Sequence, residues 1–352
     1  MLHKYDYIIV GGGICGSILA HVLSKKYNIL LIDNDLHRAS SKVAAGIYNP
    51  LTGMRTAKTW LSDIVFPHAI SYYSQFEHDY RVKIQYILPI YTPFAQMHEM
   101  NTWVAKCTDS EYAHYVSLTN DNKYNGLIND TKYGGMLIHK AGYIDVLLYI
   151  ETVKQLLTKN GQYISQKIDY KYINIYQNEC VLNDSFIGKV IFCEGWQGAD
   201  NPYFAYLPWQ LSKGELVDIK SDALHNDVII KKSVWICPTP EMGTYKVGST
   251  FAWNQLDNTP TEASKVALQQ KINTFYPFEY KIINQSAEIR PTVKHRRPFV
   301  GMLNSHKCIG IFNGFGTKSV SLAPYFADMF CSHLSAGTTL LSDVDVNQHL
   351  KG

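Results

Sequence analysis

The stretch YIIVGGGICG, residues 7–16, decides the fold. Its four apolar residues predict a buried strand, its glycines predict a tight turn, and the apolar pattern from Ile14 to about Lys26 predicts a helix. The run ILLI at residues 29–32 predicts a second strand, which ends at Asp33. A strand, a helix and a strand in this order predict an α/β fold with a parallel sheet.

The glycines Gly11, Gly13 and Gly16 match the pattern G-x-G-x-x-G, and each has a physical task. The first permits the tight turn, the second lets the backbone approach a pyrophosphate, and the third lets the helix pack against the strand. The start of the helix offers free N–H groups and a partial positive charge to phosphates. Asp33 is placed to accept hydrogen bonds from ribose hydroxyls. The pattern therefore predicts a dinucleotide site, and on these residues alone both NAD and FAD stay open.

Length and charge narrow the class of protein. Single hydrophobic cores stop growing at roughly 250 to 300 residues, so a chain of 352 residues is expected to form two domains. The net charge is only +3, and the sequence has no block of five or more like charges of the kind found in nucleic-acid-binding arms. We therefore expect a small-molecule partner and no nucleic acid.

The cysteines and the apolar runs bear on the cellular compartment. Seven cysteines are scattered without a C-x-x-C pair, and their number is odd. This pattern predicts neither a disulfide framework nor a zinc site and favours a cytoplasmic protein. No run of about eighteen apolar residues predicts a membrane span. The first residues lead directly into the strand pattern, so no signal peptide is expected.

The rest of the chain predicts two interleaved domains. Helical patterns run from about 144 to 159 and from about 318 to 334, and strand patterns lie at 170–176, 180–182 and 190–193. Two other stretches, rich in aromatic and turn residues, predict a more antiparallel layer. The predicted division is a dinucleotide-binding domain of residues 1–79, 141–202 and 286–352, and a substrate domain of residues 80–140 and 203–285.

Several further segments resemble the D-amino-acid oxidase, glycine oxidase and sarcosine oxidase family of FAD-dependent oxidoreductases. They are residues 39–50 (ASSKVAAGIYNP), 190–195 with 209–217, 235–238 with 246–250, and 289–301 with 313–324. The matches touch nearly the whole chain in the family's order, and they move the expected cofactor from NAD to FAD, held without a covalent bond. The resemblance implies a glutathione-reductase-like FAD-binding Rossmann domain interleaved with an antiparallel α+β substrate domain.

The resemblance also implies roles for single residues. Arg290, in an Arg-Pro pair, would hold a substrate carboxylate, because a planar guanidinium can donate two parallel hydrogen bonds. Trp235 stands where many relatives place a tyrosine that lines the substrate pocket, and Ile47 would face flavin and substrate. Lys318 matches the lysine of sarcosine oxidases and would stabilise negative charge on the reduced flavin. Glycine oxidases have an arginine one residue earlier, where this chain has Thr317.

The candidate catalytic residues are thus Arg290, Lys318, Trp235 and Ile47. The residues expected to contact the cofactor are Gly11, Gly13, Ile14, Cys15, Gly16, Asp33, Asn34, Ser40, Ser41, Ala44, Ala45, Gly46, Glu194, Gly195, Gly314, Phe315, Gly316, Thr317 and Lys318. Arg296 and Arg297 are expected to be surface or domain-junction charges. The histidines considered as proton carriers are His68, His139 and His295.

The implied reaction is oxidation of an amino acid or secondary amine at the C–N bond, with hydride transfer to flavin N5 and O2 as the acceptor. Such a reaction depends on positioning more than on a general base. Three alternatives stay open: a dehydrogenase of the same fold with another electron acceptor, the oxidase module of a tRNA-modifying enzyme, and a flavin-binding protein without turnover. The sequence predicts neither the substrate nor the oligomeric state.

Overall fold

A computed structural model of the chain describes residues 2–34, 40–52, 56–119, 128, 132–224 and 226–349. Within these residues, the helices are α1 (Ile14–Leu23), α2 (Ser40–Val43), α3 (Ser62–Tyr80), α4 (Met97–Cys107), α5 (Val146–Lys159), α6 (Glu262–Asn273) and α7 (Ser319–Ala336). The strands are β1 (His3–Val10), β2 (Ile29–Asp33), β3 (Ile47–Tyr48), β4 (Leu51–Thr52), β5 (Ala57–Lys58), β6 (Gln85–Ile87), β7 (Ile90–Pro93), β8 (Val116–Thr119), β9 (Gly135–Ile138), β10 (Gly142–Ile144), β11 (Tyr163–Ser165), β12 (Ile173–Tyr176), β13 (Glu179–Leu182), β14 (Phe186–Phe192), β15 (Ser212–Lys220), β16 (Ile229–Lys231), β17 (Trp235–Pro238), β18 (Thr244–Gly248), β19 (Lys281–Arg290), β20 (Phe299–Met302) and β21 (Ile309–Asn313).

The first large sheet is built around β1. Strand β1 pairs in parallel with β2 on one side and with β14 on the other, and β14 continues in parallel to β21. The side chains at the end of β1 are buried on both faces, as expected for a parallel strand covered by two layers. The carboxyl ends of β1, β2, β14 and β21 therefore meet at one edge, next to the point where the strand order changes direction. This is where open α/β sheets bind their ligands.

The core on one face of this sheet fixes the first helix. Residues Ile18, Leu19 and Leu23 of α1 are fully buried and pack among α5 and α7. Burying each such side chain stabilises the fold by about 1.5 to 3 kcal/mol. The start of α1, and with it the glycine turn, is thereby held rigidly against the sheet.

The second large sheet is predominantly antiparallel. Its strand order is β19-β15-β18-β17-β16-β7-β9-β8, and only the β16–β7 pair among these described strands is parallel. That pair joins the two aromatic-rich stretches of the sequence into one layer. Strand β19 runs to Arg290, so residues 286–290 belong to this sheet, although the sequence placed them in the dinucleotide domain. The expected fold class, a Rossmann-like sheet combined with an antiparallel one, is confirmed.

The local predictions hold with small shifts at the ends. Helix α1 ends at Leu23, before the expected Lys26, and α5 begins at Val146, where the Asp145 side chain accepts a hydrogen bond from the N–H of Leu148 at 3.0 Å. Helix α7 continues to Ala336, two residues beyond the expected end. The strand expected from residue 170 begins only at Ile173, after a turn of 3-10 helix.

Candidate cofactor and substrate site

The glycine turn after β1 leaves no room for side chains at Gly11 and Gly16. Gly11 has a φ of +106°, and a Cβ built on it would lie 2.6 Å from the carbonyl oxygen of Cys193. A Cβ on Gly16 would collide with the carbonyl oxygen of Gly11. The first glycine therefore lets β1 and β14 end side by side, and the last lets α1 sit directly on the turn.

Two side chains complete the turn. The Asp33 carboxylate accepts a hydrogen bond from the backbone N–H of Gly12 at 3.0 Å, which fixes it at the end of β2. The Ser41 hydroxyl, from the short helix α2, accepts one from the N–H of Ile14 at 3.0 Å. Gly13, at the helix N-cap, has no side chain that could cap the helix. The turn thus presents a fixed carboxylate beside a helix start.

One cavity of about 1360 Å³ extends from this turn to the antiparallel sheet. Of the predicted site residues, all except Gly16 line it; Gly16 instead lies in the contact between α1 and β1. Gly46, in the segment after α2, has a φ of +67°, and a Cβ there would collide with the carbonyl oxygen of Ile144. Its neighbour Ile47 pairs with Tyr143. The glycine is therefore required by the close approach of β3 to β10.

The carboxyl ends of β14 and β21 are joined by Asn313. Its amide Nδ2 donates to the carbonyl oxygen of Gly195 at 2.9 Å, and its Oδ1 accepts from the N–H of Gly314 at 2.8 Å. The next turn contains Gly314 and Gly316, which have φ values of +80° and +56°, and leads into α7 at Lys318. Burial, followed by the charges of Arg296 and Arg297, lowers the pKa of Lys318. A cation is thus held at the start of α7, facing the cavity.

Arg290 lies at the end of β19, and the neighbouring strand makes room for it. A Cβ on Gly214 of β15 would collide with the guanidinium, so glycine is needed there. Both terminal nitrogens of Arg290 lie 3.4 Å from the carbonyl oxygen of Thr250, and the guanidinium carbon lies 4.3 Å from the ring centre of Phe251. Burial lowers the pKa of Arg290 to about 10, so the group remains cationic at neutral pH. Among the described residues it has no carboxylate partner.

The segment that holds Arg290 is itself anchored from behind the sheet. The backbone of Lys213 exchanges two hydrogen bonds with Ala252, at 2.7 and 3.0 Å. The buried Lys213 ammonium donates to Asp257 at 2.7 Å and to the carbonyl oxygen of Thr259 at 2.6 Å. Glu215 lies 3.7 Å from the same ammonium. Residues 250–259 are thereby fixed at several points, and Arg290 rests on a rigid support.

Trp235 lies on the cavity face of the antiparallel sheet. It pairs with Gly248 of β18 on one side and with Lys231 of β16 on the other. The Lys231 ammonium lies 5.2 Å from its ring centre. The indole is therefore part of the cavity wall, on the same sheet face as Arg290.

Sequence reasoning missed one wall of the cavity. His98, Glu99, Trp103 and Lys106 of α4 line the cavity, and no motif in that stretch indicates it. Arg296 is exposed, as expected for a surface charge, and it also lines the cavity. Arg297 stacks on Trp60 at 4.1 Å and lies 3.5 Å from Asp343, as expected for a junction charge.

The three candidate histidines lie elsewhere. His68 forms a 2.9 Å pair with Asp328, and His139 bonds to the Ser117 hydroxyl at 2.7 Å. His295 is exposed. None of the three lines the cavity, so the described residues offer no histidine dyad there.

A family model described as FAD dependent oxidoreductase matches residues 6–332. The chain belongs to this family. Three solved structures share its fold at low identity. Glycine oxidase from Bacillus cereus has a TM-score of 0.79 and 19% identity over 96% of each chain. Iminodiacetate oxidase from Chelativorans sp. has a TM-score of 0.79 and 15% identity, and the match covers 96% of this chain and 97% of that one. L-Proline dehydrogenase from P. horikoshii has a TM-score of 0.76 and 15% identity, and the match covers 97% of this chain and 96% of that one.

The residues present fit the FAD that this family of oxidoreductases uses. Gly11 and Gly16 leave no room for side chains, the helix start has no side-chain cap at Gly13, and Asp33 is fixed beside it. Ligand pockets usually measure about 300 to 1,000 Å³, so a cavity of about 1360 Å³ has room for a dinucleotide and a substrate together. The expectation of FAD, made from the sequence, is confirmed.

Three findings concern the expectations on metals, cysteines and membranes. Within the described ranges, no group of three or more His, Cys, Asp or Glu residues could hold a metal ion. All seven cysteines of the oxidoreductase are free thiols. In the part of the chain that the structure describes, no helix combines the length and apolarity needed to cross a membrane.

Glu194 lies two residues after the end of β14 and lines the cavity. Its carboxylate accepts hydrogen bonds from the Tyr170 hydroxyl at 2.9 Å and from Asn201 Nδ2 at 2.8 Å. Burial raises its pKa from the ordinary 4.5 to about 7, and the two hydrogen bonds offset part of that rise. The folded protein therefore favours the protonated form more than the unfolded chain does.

We expect this group to make the oxidoreductase less stable as pH rises from about 4.5 to about 7, because the unfolded chain loses the proton first. The slope cannot exceed about 1.4 kcal/mol per pH unit for one proton. Glu194→Gln removes the titration. As pH rises through this window, the melting temperature of the variant should therefore rise relative to that of the wild type. At higher pH the difference between the two should stay constant. A difference independent of pH would contradict the assignment.

Proposed function

We propose that this FAD-dependent oxidoreductase oxidises an amino acid or a carboxylated secondary amine at its C–N bond. The observation that carries the proposal is the Arg290 guanidinium, which faces the cavity without a carboxylate partner among the described residues. A guanidinium has five N–H donors in a fork that matches a carboxylate. Two fold relatives support it, since their names state oxidation of glycine and of iminodiacetate.

Each wall of the cavity is assigned a role in this proposal. FAD, when bound, would supply the hydride acceptor and, in an oxidase, the route by which the electrons reach O2. The glycine turn and Asp33 hold its adenylate half, and Lys318 with the start of α7 stabilises negative charge that develops on reduction. Arg290 orients the substrate by its carboxylate, and Trp235 and Ile47 form the wall around its reacting carbon. The other predicted cofactor contacts and the two interleaved domains belong to the same proposal.

The test is anaerobic titration of the purified yellow protein with a panel of amino acids and N-alkyl amino acids. We expect carboxylated amines to bleach the flavin absorbance. The matching amines without a carboxylate should not bleach it. Bleaching by uncharged amines alone, or by none of the panel, would overturn the proposal.

Reoxidation of the reduced protein in air decides the electron acceptor. Rapid reoxidation with release of hydrogen peroxide is expected for the proposed oxidase. Slow reoxidation would favour a dehydrogenase. One fold relative, L-proline dehydrogenase, is named as an enzyme of that kind.

We propose a cytoplasmic location together with this function, and the free cysteines are compatible with it.

A further inference from the structure

Two aromatic side chains of the segment that supports Arg290 are left exposed at the cavity. Phe251 and Trp253 are 57% and 60% exposed, and both line the cavity. Their ring centres lie 6.4 Å apart, and the ring planes are inclined by 25°. Single exposed apolar residues are common, but adjoining ones in a cavity wall are typical of a surface that binds a ligand.

The backbone explains why both rings face the cavity. Ala252, between them, pairs with Lys213 of β15 through two hydrogen bonds. In extended backbone, the neighbours of a paired residue point to the opposite face. Ala252 and Lys213 do not line the cavity, whereas Phe251 and Trp253 do. The two rings therefore lie on the cavity face of the sheet, as Arg290 does.

Hydrogen bonds hold the backbone on both sides of the rings. The Thr250 hydroxyl accepts a hydrogen bond from the N–H of Glu215 at 3.0 Å, and the N–H of Thr250 donates to the carbonyl oxygen of Glu215 at 3.1 Å. Further along the segment, the Lys213 ammonium donates to Asp257 and Thr259. A surface that is already fixed loses little freedom when a ligand covers it, which favours binding.

The segment presents only these two rings to the cavity. Of residues 250–259, all of which the structure describes, Phe251 and Trp253 line the cavity and the others do not. The charged residue of the segment, Asp257, pairs with Lys213 at 2.7 Å. A ligand group that lies against this surface therefore meets aromatic carbon. A charged group there would lose hydration without gaining a partner, so the surface suits an apolar group.

One of the two rings touches the proposed carboxylate anchor. The guanidinium carbon of Arg290 lies 4.3 Å from the centre of the Phe251 ring. A cation–π contact of this kind leaves N–H donors at the edge of the guanidinium for a carboxylate. A molecule whose carboxylate binds Arg290 therefore has the Phe251 ring as an immediate neighbour, and the Trp253 ring lies next to that one.

We propose that Phe251 and Trp253, here called the aromatic pair, bind an aromatic ring that the substrate carries on its nitrogen or its α-carbon. This inference rests on the proposed function, because Arg290 is taken to hold the carboxylate of the same molecule. Aromatic rings prefer offset-stacked or edge-to-face contacts with centres about 4.5 to 7 Å apart. The aromatic pair already has such a spacing, and a third ring extends the arrangement.

The first test measures binding to the yellow holoenzyme through perturbation of its flavin spectrum by redox-inert acids. Hexanoate and 3-phenylpropanoate extend about equally far from the carboxylate and differ in ending with a linear chain or a ring. We expect 3-phenylpropanoate to bind about three- to tenfold more tightly, the usual gain from an aromatic contact. Because the ring is uncharged, salt should weaken both acids equally and leave this preference unchanged.

Variants locate the contact. Trp253→Ala should remove most of the preference for the ring. Phe251→Ala should reduce the preference and also weaken both acids, because Phe251 contacts Arg290. Tyr176→Ala is the matched control, because this ring is 61% exposed and lies outside the cavity. Equal binding of the two acids to the wild type, or a preference that survives in the double variant of the aromatic pair, would overturn the inference.

Two other occupants of the aromatic pair have distinct outcomes. If a second copy of the chain covers the pair, analytical ultracentrifugation should show a concentration-dependent dimer that Trp253→Ala shifts to monomer. If the flavin covers the pair, Trp253→Ala should lose FAD. Either result, together with equal binding of hexanoate and 3-phenylpropanoate to the wild type, would replace the proposed substrate ring by that occupant.

Turnover separates this inference from the proposed function. N-benzylglycine is matched with N-butylglycine, and each enantiomer of phenylalanine is matched with that of norleucine. In at least one pair both members should be oxidised, the aryl member with the lower KM, and that pair shows which atom carries the ring. Oxidation with equal KM within every pair would remove the aromatic contact and leave the proposed function intact. If no compound is oxidised while 3-phenylpropanoate still binds through Trp253, the aromatic contact holds and the proposed reaction fails.

Discussion

Replacement of Gly13 by valine is expected to give a folded protein that has lost its yellow colour. A Cβ at Gly13 would meet only the Ser41 hydroxyl, at 3.2 Å, and the backbone φ of −67° suits other residues. The chain itself can therefore accommodate a side chain here once the Ser41 hydroxyl shifts by a few tenths of an ångström. The pyrophosphate of FAD cannot, because this glycine gives the backbone its close approach to the phosphates. Crowding of this size costs about 1 to 3 kcal/mol, or about five- to 150-fold in affinity.

The measurement is the ratio of absorbance at the flavin band to that of the protein, together with FAD titration of the apoprotein and the melting temperature. Gly13→Ala should give an intermediate affinity. Gly161→Asn is the control, because Gly161 has a φ of +69°, has nothing within 4 Å of a built Cβ and lies outside the cavity. Asparagine tolerates that conformation, so this variant should stay yellow. Wild-type FAD affinity in Gly13→Val would place the pyrophosphate elsewhere.

The strand, turn and helix around these glycines were predictable because their signals are local. The apolar run before Gly11 and the spacing of Gly13 and Gly16 are properties of ten neighbouring residues. The same holds for α5, whose start is marked by Asp145 and whose end is marked by Gly161 with its φ of +69°. Local patterns predict such elements to within a few residues.

The substrate wall was not predictable in the same way because it is made by pairing of distant strands. Arg290 was found through resemblance, but its support by Thr250 and Phe251 depends on strands that are adjacent only after folding. Gly214 is required only because β19 brings the guanidinium against it. Lys106 reaches the cavity because α4 packs beside β8, a contact without a signature in the sequence.

Replacement of Arg290 by leucine is expected to weaken binding of carboxylated substrates while the flavin stays bound. A hydrogen bond to a charged group contributes about 1.5 to 3 kcal/mol, so the loss should be about ten- to a hundredfold in affinity. Arg290→Lys keeps the charge but not the planar fork, and should recover only part of the binding. The measurements are the steady-state KM for a carboxylated amine and the dissociation constant of hexanoate from its spectral perturbation.

Two further variants separate anchoring from general damage. Arg81→Leu is the control, because this arginine is exposed at the end of α3 and lies outside the cavity lining, so its loss should leave KM unchanged. Gly214→Ala retains the guanidinium but forces it from its place, since the added Cβ would collide with it. We expect this variant to raise KM in the same direction as Arg290→Leu, with FAD still bound. If Arg290→Leu and Gly214→Ala both leave KM and hexanoate binding unchanged, the carboxylate is held by another group. Arg290 then serves only the contact between β19 and residues 250–251.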